Sequence, residues 1–425
     1  MRTRAPVDLA VLVNGFPRLS ETFVLRELLD LERRGVRLIV FALTDPGEAV
    51  RQEALRELRA RVEYVPDKVA LSRRRVALAH LTLARDAGAI GYLRRLALLD
   101  GAPGRNLGAI RRATVLAERL VEVGSPPLYI HFAHKPGTIG RFAAHLAGVP
   151  YGLSCHAKDI WTTPPDELGT KLRDAEVVLT CTAAGQTELE RHAGGTPVRL
   201  VYHGVDVEAV VPRDAAPGPP RVLTVGRLVE KKGHDTLIRA AGLLRDQGVA
   251  FTLRIAGDGM QWPHLQRLVH ELDLAGHVVF LGPLSTAEVQ AEYGSASVFA
   301  LGCRQLPNGD RDGLPNVLLE AMVQGLPVVA TTQQGIAEAV EPERTGLLVG
   351  TDNAAAFADA LRQLLTDPEL ARQLGTGGQL SVRERFDYRL LLPAVSTALA
   401  QAGLIPEREP AAPDVPRAVP ALEVA

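Results

Sequence analysis

Short aliphatic runs alternate with helical patterns along the chain, and this alternation restricts the fold more than any other feature. Most runs lack the polar alternation of a half-exposed strand, and each is bounded by Gly, Pro or a polar turn. Strands buried on both faces have this composition in parallel sheets. The runs of this kind are 7–13, 36–43, 127–133, 149–156, 176–182, 197–204, 221–227, 251–259, 277–282, 297–303, 326–331 and 345–350. The β–α–β pattern occurs twice and predicts an α/β protein with two doubly wound domains.

The length of the chain and its segments rich in Pro, Gly and Ala indicate where these domains end. At 425 residues the chain is about twice a common domain size. A stretch rich in Pro, Gly and Ala at 211–222 indicates a linker. We expect a first domain over 1–208 and a second over 218–385. We also expect a helix at about 386–403 to pack back on the first domain, and the Pro- and Ala-rich tail 405–425 to be disordered.

Bulk properties argue against several classes of protein. The formal net charge is -1, so the chain has no bias toward nucleic acid. Cys155, Cys181 and Cys303 are widely spaced and fit neither a disulfide framework nor a zinc pattern. No aliphatic run reaches the length of a membrane span, and the first residues lack a secretory signal pattern. These features predict a cytoplasmic protein.

The region from Lys68 to Arg119 departs from this balance of charge. Cations greatly outnumber acids there, and Leu, Ile, Val and Ala are interleaved at helical spacing. A basic amphipathic helix of this kind can bind an anionic surface, which would hold the protein on the inner face of the membrane. A solvated helix face above ordinary core leucines explains the pattern equally well.

A first group of candidate ligand-binding residues lies in the stretch VLTVGRLVEKKG. Gly226, Arg227 and Lys232 come just after a predicted strand. Strand ends in an open α/β sheet face the ligand crevice. Arg can grip a diphosphate with two parallel hydrogen bonds, and Lys can neutralise it as a point charge. Solvated loops also carry such residues often, so this group alone does not decide the function.

A second group begins at Asp312, in the stretch DGLPNVLLEAMVQGLPVVA. Pro315 suits the first turn of a helix, because its missing N–H would be unpaired there anyway. The start of this helix offers backbone N–H groups to an anion, around Gly313, Leu314 and Asn316. Glu320 lies about a turn and a half into the helix. The two carboxylates could accept hydrogen bonds from opposite ends of a sugar ligand, although an N-cap Asp and a surface Glu would also explain them.

Taken together, these stretches resemble family 4 glycosyltransferases. The resemblance is carried, in order, by VGRLVEKKG, RIAGDGMQW, VVFLGPLS, DGLPNVLLEAMVQGLPVVAT and GIAEAVEPERTGLLV. It covers most of residues 7–400 and is densest over 220–350. The resemblance implies a GT-B fold, in which two Rossmann-like domains face each other across a cleft. It also implies a retaining enzyme that uses a nucleotide-sugar donor, UDP- or GDP-linked, and requires no metal or other cofactor.

The family's residue roles transfer to matching positions. Arg227 and Lys232 match the basic pair on the donor diphosphate. Glu320 matches the acid that holds the ribose hydroxyls, and Asp312 matches the acid that contacts the transferred sugar. Most family members have Glu in place of Asp312, so the shorter side chain implies an adjusted geometry or a different donor sugar. Glu338, in GIAE, is a weaker candidate for the same crevice, and an exposed acid at a helix start is the alternative.

The first half of the chain is then expected to bind the acceptor. His156 and Asp159 resemble the family's HxxD segment near the donor sugar, where a neutral imidazole could hydrogen-bond a sugar hydroxyl. His131 and His134 also lie at or after strand ends, but a lone histidine is more often structural. We expect His203 to belong to the hinge between the domains, together with its neighbour Asp206.

The stretch NGFPRLSETFV, at 14–24, joins a predicted strand to a predicted helix. It resembles the N-terminal loop of a subgroup that acts in exopolysaccharide assembly of the colanic-acid type. Gly15 could take a positive φ and let the backbone approach a phosphate or sugar. Arg18 would face the crevice and Ser20 could cap the helix. The implied acceptor is a glycan or a lipid-linked glycan.

Two other functions are compatible with the sequence. One is a further enzyme on the same fold, such as a sugar epimerase or a phosphorylase. The other is a nucleotide-sugar-binding protein without catalysis. The sequence shows no inorganic phosphate or pyridoxal signature, which argues against a phosphorylase.

Overall fold

The computed structural model describes residues 6–18, 21–47, 53–67, 71–97, 99, 106–212 and 218–407. Within them the chain forms two parallel β-sheets, each with a hydrophobic core on both faces. The predicted α/β fold with two doubly wound domains is therefore confirmed.

The first domain is built on a sheet of short parallel strands. They are β1 (Leu9–Gly15), β2 (Leu38–Thr44), β3 (Arg61–Tyr64), β4 (Leu128–His131), β5 (Tyr151–Cys155), β6 (Val177–Thr180) and β7 (Val198–Leu200). Their order is β3-β2-β1-β4-β5-β6-β7. The direction of strand progression reverses between β1 and β4, and ligands in open α/β sheets bind at such a point.

Helices cover both faces of this sheet. They are α1 (Thr22–Arg33), α2 (Arg73–Ala87), α3 (Ala89–Ala97), α4 (Leu107–Glu122), α5 (Lys135–Ala147), α6 (Ala157–Thr162), α7 (Pro165–Arg173) and α8 (Ala183–Glu190). Alternate residues of β1 point to opposite faces, as the strand period requires. Ala10 and Leu12 belong to the core under α4 and α5, whereas Leu9, Val11 and Val13 belong to the core under α1. Burial on both faces explains the continuous aliphatic run.

The second domain repeats this architecture. Its strands are β8 (Arg221–Val225), β9 (Thr252–Ala256), β10 (Val278–Gly282), β11 (Val298–Leu301), β12 (Val328–Thr331) and β13 (Leu347–Val349). Their order is β10-β9-β8-β11-β12-β13, with the reversal between β8 and β11. The remaining helices are α9 (His234–Asp246), α10 (Trp262–Glu271), α11 (Thr286–Ser295), α12 (Asn316–Val323), α13 (Gln334–Ala337), α14 (Ala354–Thr366), α15 (Pro368–Arg385) and α16 (Tyr388–Gln401).

The last helix, α16, returns to the first domain. Val395 and Leu399 of α16 are buried in the same core as Leu28 of α1. The two chain segments that join the domains lie side by side, because the Val205 N–H donates to Phe386 O over 2.8 Å and the Tyr388 N–H donates to Val205 O over 3.1 Å. Gly204 has φ +65°, and a Cβ there would lie 2.8 Å from Phe386 O. Glycine is therefore required at this crossing.

One strand was not predicted from the sequence, and some predictions concern residues that the structure does not describe. Strand β3 was not predicted, because it is a short edge strand with exposed ends rather than an aliphatic run. Part of the predicted linker, 213–217, lies outside the described residues, as do Ser20, Lys68 and the tail from 408 onward. In the part of the chain that the structure describes, no helix combines the length and the apolar character needed to cross a membrane.

Candidate active site

The carboxyl ends of the two sheets face each other and are in contact. Gly309, in the segment after β11, lies so close to α6 that a Cβ there would be 2.4 Å from Trp161 O. The Arg311 guanidinium lies over the Trp161 ring, 4.0 Å from its centroid. A Cβ on Gly313 would lie 3.7 Å from Cys181 Sγ, just after β6. Both sheets therefore contribute their strand ends to one cleft, where α/β folds bind ligands.

Lys232 and Asp312 form an ion pair on the second domain's side of this cleft. Lys232 Nζ lies 2.5 Å from Asp312 Oδ2. Lys231 Nζ lies 3.3 Å from Asp312 Oδ1 and 3.0 Å from Asp310 Oδ1. The Cys303 thiol donates to Asp312 Oδ2 over 3.3 Å. Both carboxylate oxygens of Asp312 are therefore engaged, with lysine ammonium groups as their main partners.

This pair remains charged at neutral pH. Burial acts to raise the pKa of Asp312, but the Lys232 and Lys231 ammonium groups hold it well below its usual range. Burial acts to lower the pKa of Lys232, and Asp312 more than offsets this, so that the pKa is raised. An ammonium group has three protons to donate. Lys232 can therefore keep its ion pair with Asp312 and still donate a hydrogen bond to an anion in the cleft.

Gly226 and Arg227 follow β8 directly and lie beside this pair. A Cβ on Gly226 would lie 3.4 Å from Lys232 Cε, so this glycine is next to the lysine stem. The Arg227 side chain is exposed. A Cβ on Gly257 would lie 2.0 Å from Gly226 O, which requires glycine in the loop after β9. The structure thus brings the predicted group Gly226, Arg227 and Lys232 together with Asp312.

Helix α12 begins one residue later than expected. Pro315 is the N-cap of α12 rather than a residue of its first turn, because its ψ of 119° is extended. The Leu318 N–H donates to Pro315 O over 3.0 Å. The Pro315 side chain makes no capping hydrogen bond. The start of α12 therefore carries the partial positive charge of an N-terminus without a side-chain cap.

Glu320 lies on α12 and faces the first domain. Its Oε2 accepts from the Tyr293 hydroxyl over 3.2 Å. Burial raises its pKa, and the nearby Arg26 guanidinium opposes that shift. Arg26 belongs to α1 and donates to Gly204 O over 3.3 Å. Glu320 is thus a partly buried carboxylate with a cation on the other wall of the cleft.

His156 contributes a neutral imidazole from the first domain. Its ring packs against Phe132, with centroids 4.6 Å apart, and against Phe23, with centroids 4.9 Å apart. Ser154 Oγ lies 3.3 Å from His156 Nε2. Burial, with smaller contributions from His203 and neighbouring histidines, holds the pKa of His156 well below its usual range. The ring is therefore uncharged at neutral pH.

Asp159 fixes the backbone around His156. One carboxylate oxygen accepts from the His156 N–H over 2.9 Å, and the other accepts from the His134 N–H over 3.3 Å. Burial raises the pKa of Asp159 to about 7. The loops after β4 and β5 are therefore joined through one buried carboxyl group. Burial also lowers the pKa of His131 to about 3 and that of His134 to about 4.

Two groups of side chains consist of residue types that commonly bind metal ions. Among the described residues, one set places its ligand atoms within 4.8 Å of one another, namely His156, Cys181 and His203. Burial raises the pKa of the Cys181 thiol to about 12, and a protonated thiol is a poor metal ligand. The other is the Asp-x-Asp pair Asp310 and Asp312, which Lys231 bridges. Neither arrangement, as it stands, fits a metal centre.

Glu338 lies between the two domains, so it is not the exposed acid that the sequence also allowed. It accepts from the Ala183 N–H over 2.8 Å and from the Ala184 N–H over 3.1 Å, at the start of α8. The Tyr202 hydroxyl donates to it over 2.9 Å. Glu338 is in the second domain, whereas all three donors lie in the first or just after it. A sequence motif cannot show this, because the partners are more than 130 positions away.

Gly15 also differs from the expectation. It is the last residue of β1, pairs with Thr44 of β2, and does not have a positive φ. A Cβ there would lie 2.8 Å from Arg18 Nε and 3.0 Å from Thr44 Oγ1. The glycine therefore makes room for the Arg18 side chain, and the predicted φ was wrong. Arg18 Nε lies 3.9 Å from Glu21 Oε1.

Sequence reasoning missed several residues of this cleft. Phe23 stacks on His203, with ring centroids 3.9 Å apart. Trp161 and Arg311 meet across the cleft, and Arg26 faces Glu320. These residues belong to helices or loops without a recognisable pattern. Only the fold brings them together.

Comparison with known proteins shows which protein family this chain is similar to. The description "Glycosyl transferases group 1" matches residues 210–380. The colanic acid biosynthesis glycosyltransferase WcaL of Escherichia coli K12 is 31% identical over 381 residues, which cover 84% of this chain and 90% of WcaL.

The chain belongs to the group 1 glycosyltransferases.

Other members of this family and of its fold are also similar. A GDP-mannose-dependent phosphatidylinositol monomannoside mannosyltransferase of Mycobacterium tuberculosis is 33% identical over 265 residues, or 58% of this chain and 69% of that protein. Sucrose-phosphate synthase of Thermosynechococcus elongatus superposes with a TM-score of 0.69 at 22% identity, covering 94% of this chain and 99% of that one. HepE of Anabaena, solved with UDP and glucose, superposes with a TM-score of 0.69 at 18% identity, covering 93% and 99%. These superpositions confirm the GT-B fold of this glycosyltransferase.

Proposed function

We propose that this glycosyltransferase is a retaining enzyme of surface polysaccharide biosynthesis. It transfers a sugar from a nucleoside-diphosphate sugar to a hydroxyl group of a glycan or lipid-linked glycan. The observation that carries this proposal is the ion pair of Lys232 and Asp312, placed beside Arg227 and the uncapped start of α12. Two cations and a helix N-terminus are what a departing diphosphate needs.

The positive groups of the second domain bind the leaving group. Arg227, exposed at the end of β8, grips the diphosphate through its planar fork of donors. Lys232 donates to a phosphate oxygen while Asp312 holds the ammonium group in place. The first turn of α12, around Gly313, Leu314 and Asn316, supplies backbone donors. These groups neutralise the charge that develops as the bond to the sugar breaks, so the proposed reaction requires no metal or other cofactor.

Carboxylates and the imidazole orient the sugars. Glu320 accepts hydrogen bonds from the ribose hydroxyls of the nucleotide. Asp312 acts mainly through Lys232, because both its oxygens are already engaged. The neutral imidazole of His156 hydrogen-bonds a hydroxyl of the transferred sugar from the opposite wall. Gly15 and the loop after β1 shape the acceptor side of the cleft.

Retention follows from attack on the same face as the leaving group. The bond from the anomeric carbon to the diphosphate oxygen breaks, and a bond to the acceptor oxygen forms on that face. The proton of the acceptor hydroxyl passes to the leaving phosphate oxygen. Closure of the two domains excludes water, whose attack would hydrolyse the donor.

The relatives indicate which donors to test first. WcaL is named for colanic acid biosynthesis, and the mannosyltransferase is named as GDP-mannose-dependent. HepE was solved with UDP-glucose. GDP-mannose and UDP-glucose are therefore the first two donors, with a lipid-linked glycan as the first acceptor.

The deciding experiment measures release of nucleoside diphosphate from a panel of UDP- and GDP-sugars, with and without a lipid-linked acceptor. We expect one donor to be turned over only when the acceptor is present, with the anomeric configuration kept and with no effect of a chelator. Tight binding of a nucleotide sugar without turnover on any acceptor would instead support a binding protein. Conversion of the free donor into another sugar would support an epimerase.

A further inference from the structure

The helical insertion between β3 and β4 has an outward surface that the transfer reaction does not use. Helix α2 exposes Arg74, Ala77, Leu78, Leu81 and Arg85, which recur at the i, i+3, i+4, i+7 spacing of one helix face. Leu78 is 49% exposed and Leu81 is 66% exposed. The opposite face of α2 carries the buried Val76, Ala79 and Leu83. An apolar stripe with an arginine at each end therefore points away from the core.

Helix α3 repeats this arrangement next to α2. Ile90, Leu93, Arg94 and Ala97 are exposed at the same helical spacing. Ile90 is 70% exposed and Leu93 is 63% exposed. Both helices pack against α5 on their inner sides. The two stripes therefore lie on the same side of the first domain, and we call them together the α2–α3 surface.

The arginines of this region fall into two groups. Two on the inner side are neutralised, since Arg75 pairs with Glu118 and Arg119 pairs with Glu63, and the inner Arg95 donates to a backbone carbonyl. Arg74, Arg85 and Arg94 on the outward side form no ion pair with another described residue. Asp86 is the one acid among the exposed residues of α2 and α3. The outward surface thus combines aliphatic side chains with uncompensated positive charge.

We propose that the α2–α3 surface docks on an anionic lipid bilayer. Aliphatic side chains flanked by guanidinium groups match the boundary of such a bilayer, where acyl chains meet negative headgroups. Arginine side chains can extend to the headgroups while their stems and the leucines enter the apolar layer. The helices lie on the membrane and do not cross it, in agreement with the lack of a spanning helix among the described residues. A lipid-linked acceptor would then be presented to a bound enzyme.

The α3 part of the surface lies away from the cleft. Arg95, on the inner side of α3, donates to Leu146 O over 3.1 Å. Leu146 lies at the end of α5, and α5 begins at the carboxyl end of β4, which faces the cleft. The end of α3 therefore lies far from the cleft along the length of α5. Membrane contact through α3 therefore does not block donor entry.

Flotation of the full chain with vesicles tests this proposal without any donor, so its failure is distinguishable from failure of the proposed transferase function. The vesicles contain phosphatidylcholine alone, or phosphatidylcholine with about a third of phosphatidylglycerol. We expect binding to the anionic vesicles only, weakened by salt. Arg74→Gln with Arg85→Gln should lower the partition coefficient about thirty-fold. Leu78→Ser with Leu81→Ser should lower it about tenfold or more.

Matched control variants make the same types of substitution at exposed positions on the second domain and on α16. Arg239→Gln with Arg267→Gln removes two exposed charges, and Leu380→Ser with Leu390→Ser removes two exposed leucines. These variants should bind vesicles as the wild type does, and all variants should keep the wild-type melting temperature. Equal binding to neutral vesicles, or equal loss in the controls, would overturn the proposal. So would a wild-type dimer that the Leu78 and Leu81 substitutions dissociate, since a second copy would then cover the surface.

Discussion

Lys232 Nζ lies 2.5 Å from Asp312 Oδ2, and this pair ties the loop after β8 to the segment before α12. The two residues are 80 positions apart, yet together they present one ammonium group to the cleft. Lys231 lies on the other oxygen of the same carboxylate. The charge of the proposed diphosphate site is therefore held by a network and not by a single mobile lysine.

Two substitutions at Asp312 distinguish the effect of its negative charge from the effect of its side-chain length. Asp312→Asn leaves Lys232 without its carboxylate partner and Lys231 with Asp310 alone, and loss of one partner of a buried pair costs about 3 kcal/mol. We expect a lower melting temperature at pH 7 and a large loss of turnover. Because the folded-state pKa of Asp312 is depressed, its stabilising contribution is present above the unfolded pKa of about 4 and is lost as the pH falls below that value.

Asp312→Glu is the matched control, since it keeps the charge and adds one methylene. It should keep most of the stability and change mainly the preference among donor sugars. Thermal melts at pH 7 and pH 3 with donor-panel kinetics measure both effects. Equal melting temperatures for Asp312→Asn and the wild type at pH 7 would remove the stabilising role of the pair.

Glu320→Gln tests the ribose assignment. The amide keeps the shape of the side chain but loses the charge that strengthens hydrogen bonds to hydroxyls. We expect the affinity for the ribonucleotide to fall about tenfold, with a smaller loss for the 2′-deoxy and 3′-deoxy analogues, because each of them keeps one of the two hydroxyls. Calorimetric titration with the three nucleotides measures this. A uniform loss for all of them would place Glu320 away from the ribose.

Glu338→Gln tests the contact between the domains. Its carboxylate accepts from the Ala183 and Ala184 N–H groups and from Tyr202, so the amide should weaken this contact. We expect a larger radius of gyration in solution scattering and a higher KM for the donor. Glu341→Gln, in the same segment, is the control because the ion-pair partners of Glu341 among the described residues, Arg344 and Arg385, belong to the same domain. A Glu338 variant that scatters and turns over like the Glu341 variant would contradict the assigned contact.

The sequence predicts the fold more completely than it predicts the residues of the cleft. Aliphatic runs such as Leu9–Val13 of β1 and Val328–Ala330 of β12 are recognisable because burial on both faces leaves no polar position in them. Strand β3 escaped prediction because an edge strand needs no such run. At Gly15 the residue type permitted a positive φ, but pairing with β2 determined the actual conformation. The partners of Glu338 and Arg26 are set by how the domains meet, and local sequence does not encode that.

Glu27 gives a pH-dependent prediction in the first domain. Burial raises its pKa to about 7, Tyr129 opposes the shift and Asp30 adds to it. His131 Nε2 lies 3.7 Å from its carboxylate. The folded state therefore holds a proton that the unfolded state has already lost, and stability falls as the pH rises from about 4.5 to about 7.

Glu27→Gln removes this dependence while keeping the side-chain shape. Above pH 7 we expect the variant to be more stable than the wild type by about 3 kcal/mol, and near pH 4 we expect the two to be equal. Denaturant unfolding at several pH values measures the difference. A difference that does not change between pH 4 and pH 8 would show that Glu27 has an ordinary pKa.

The most direct test of the donor site is calorimetric binding of the nucleoside diphosphate of the preferred donor to the wild type, to Lys232→Met and to Arg239→Gln. Methionine keeps most of the apolar stem of Lys232 and removes the ammonium group, with its charge and its hydrogen-bond donors. We expect Lys232→Met to lose most of the affinity and to lower turnover about 10²- to 10³-fold, as loss of a donor at a developing charge does. Arg239→Gln, on the exposed face of α9, should match the wild type. Unchanged binding and turnover in Lys232→Met would contradict the assignment of this cleft as the donor site.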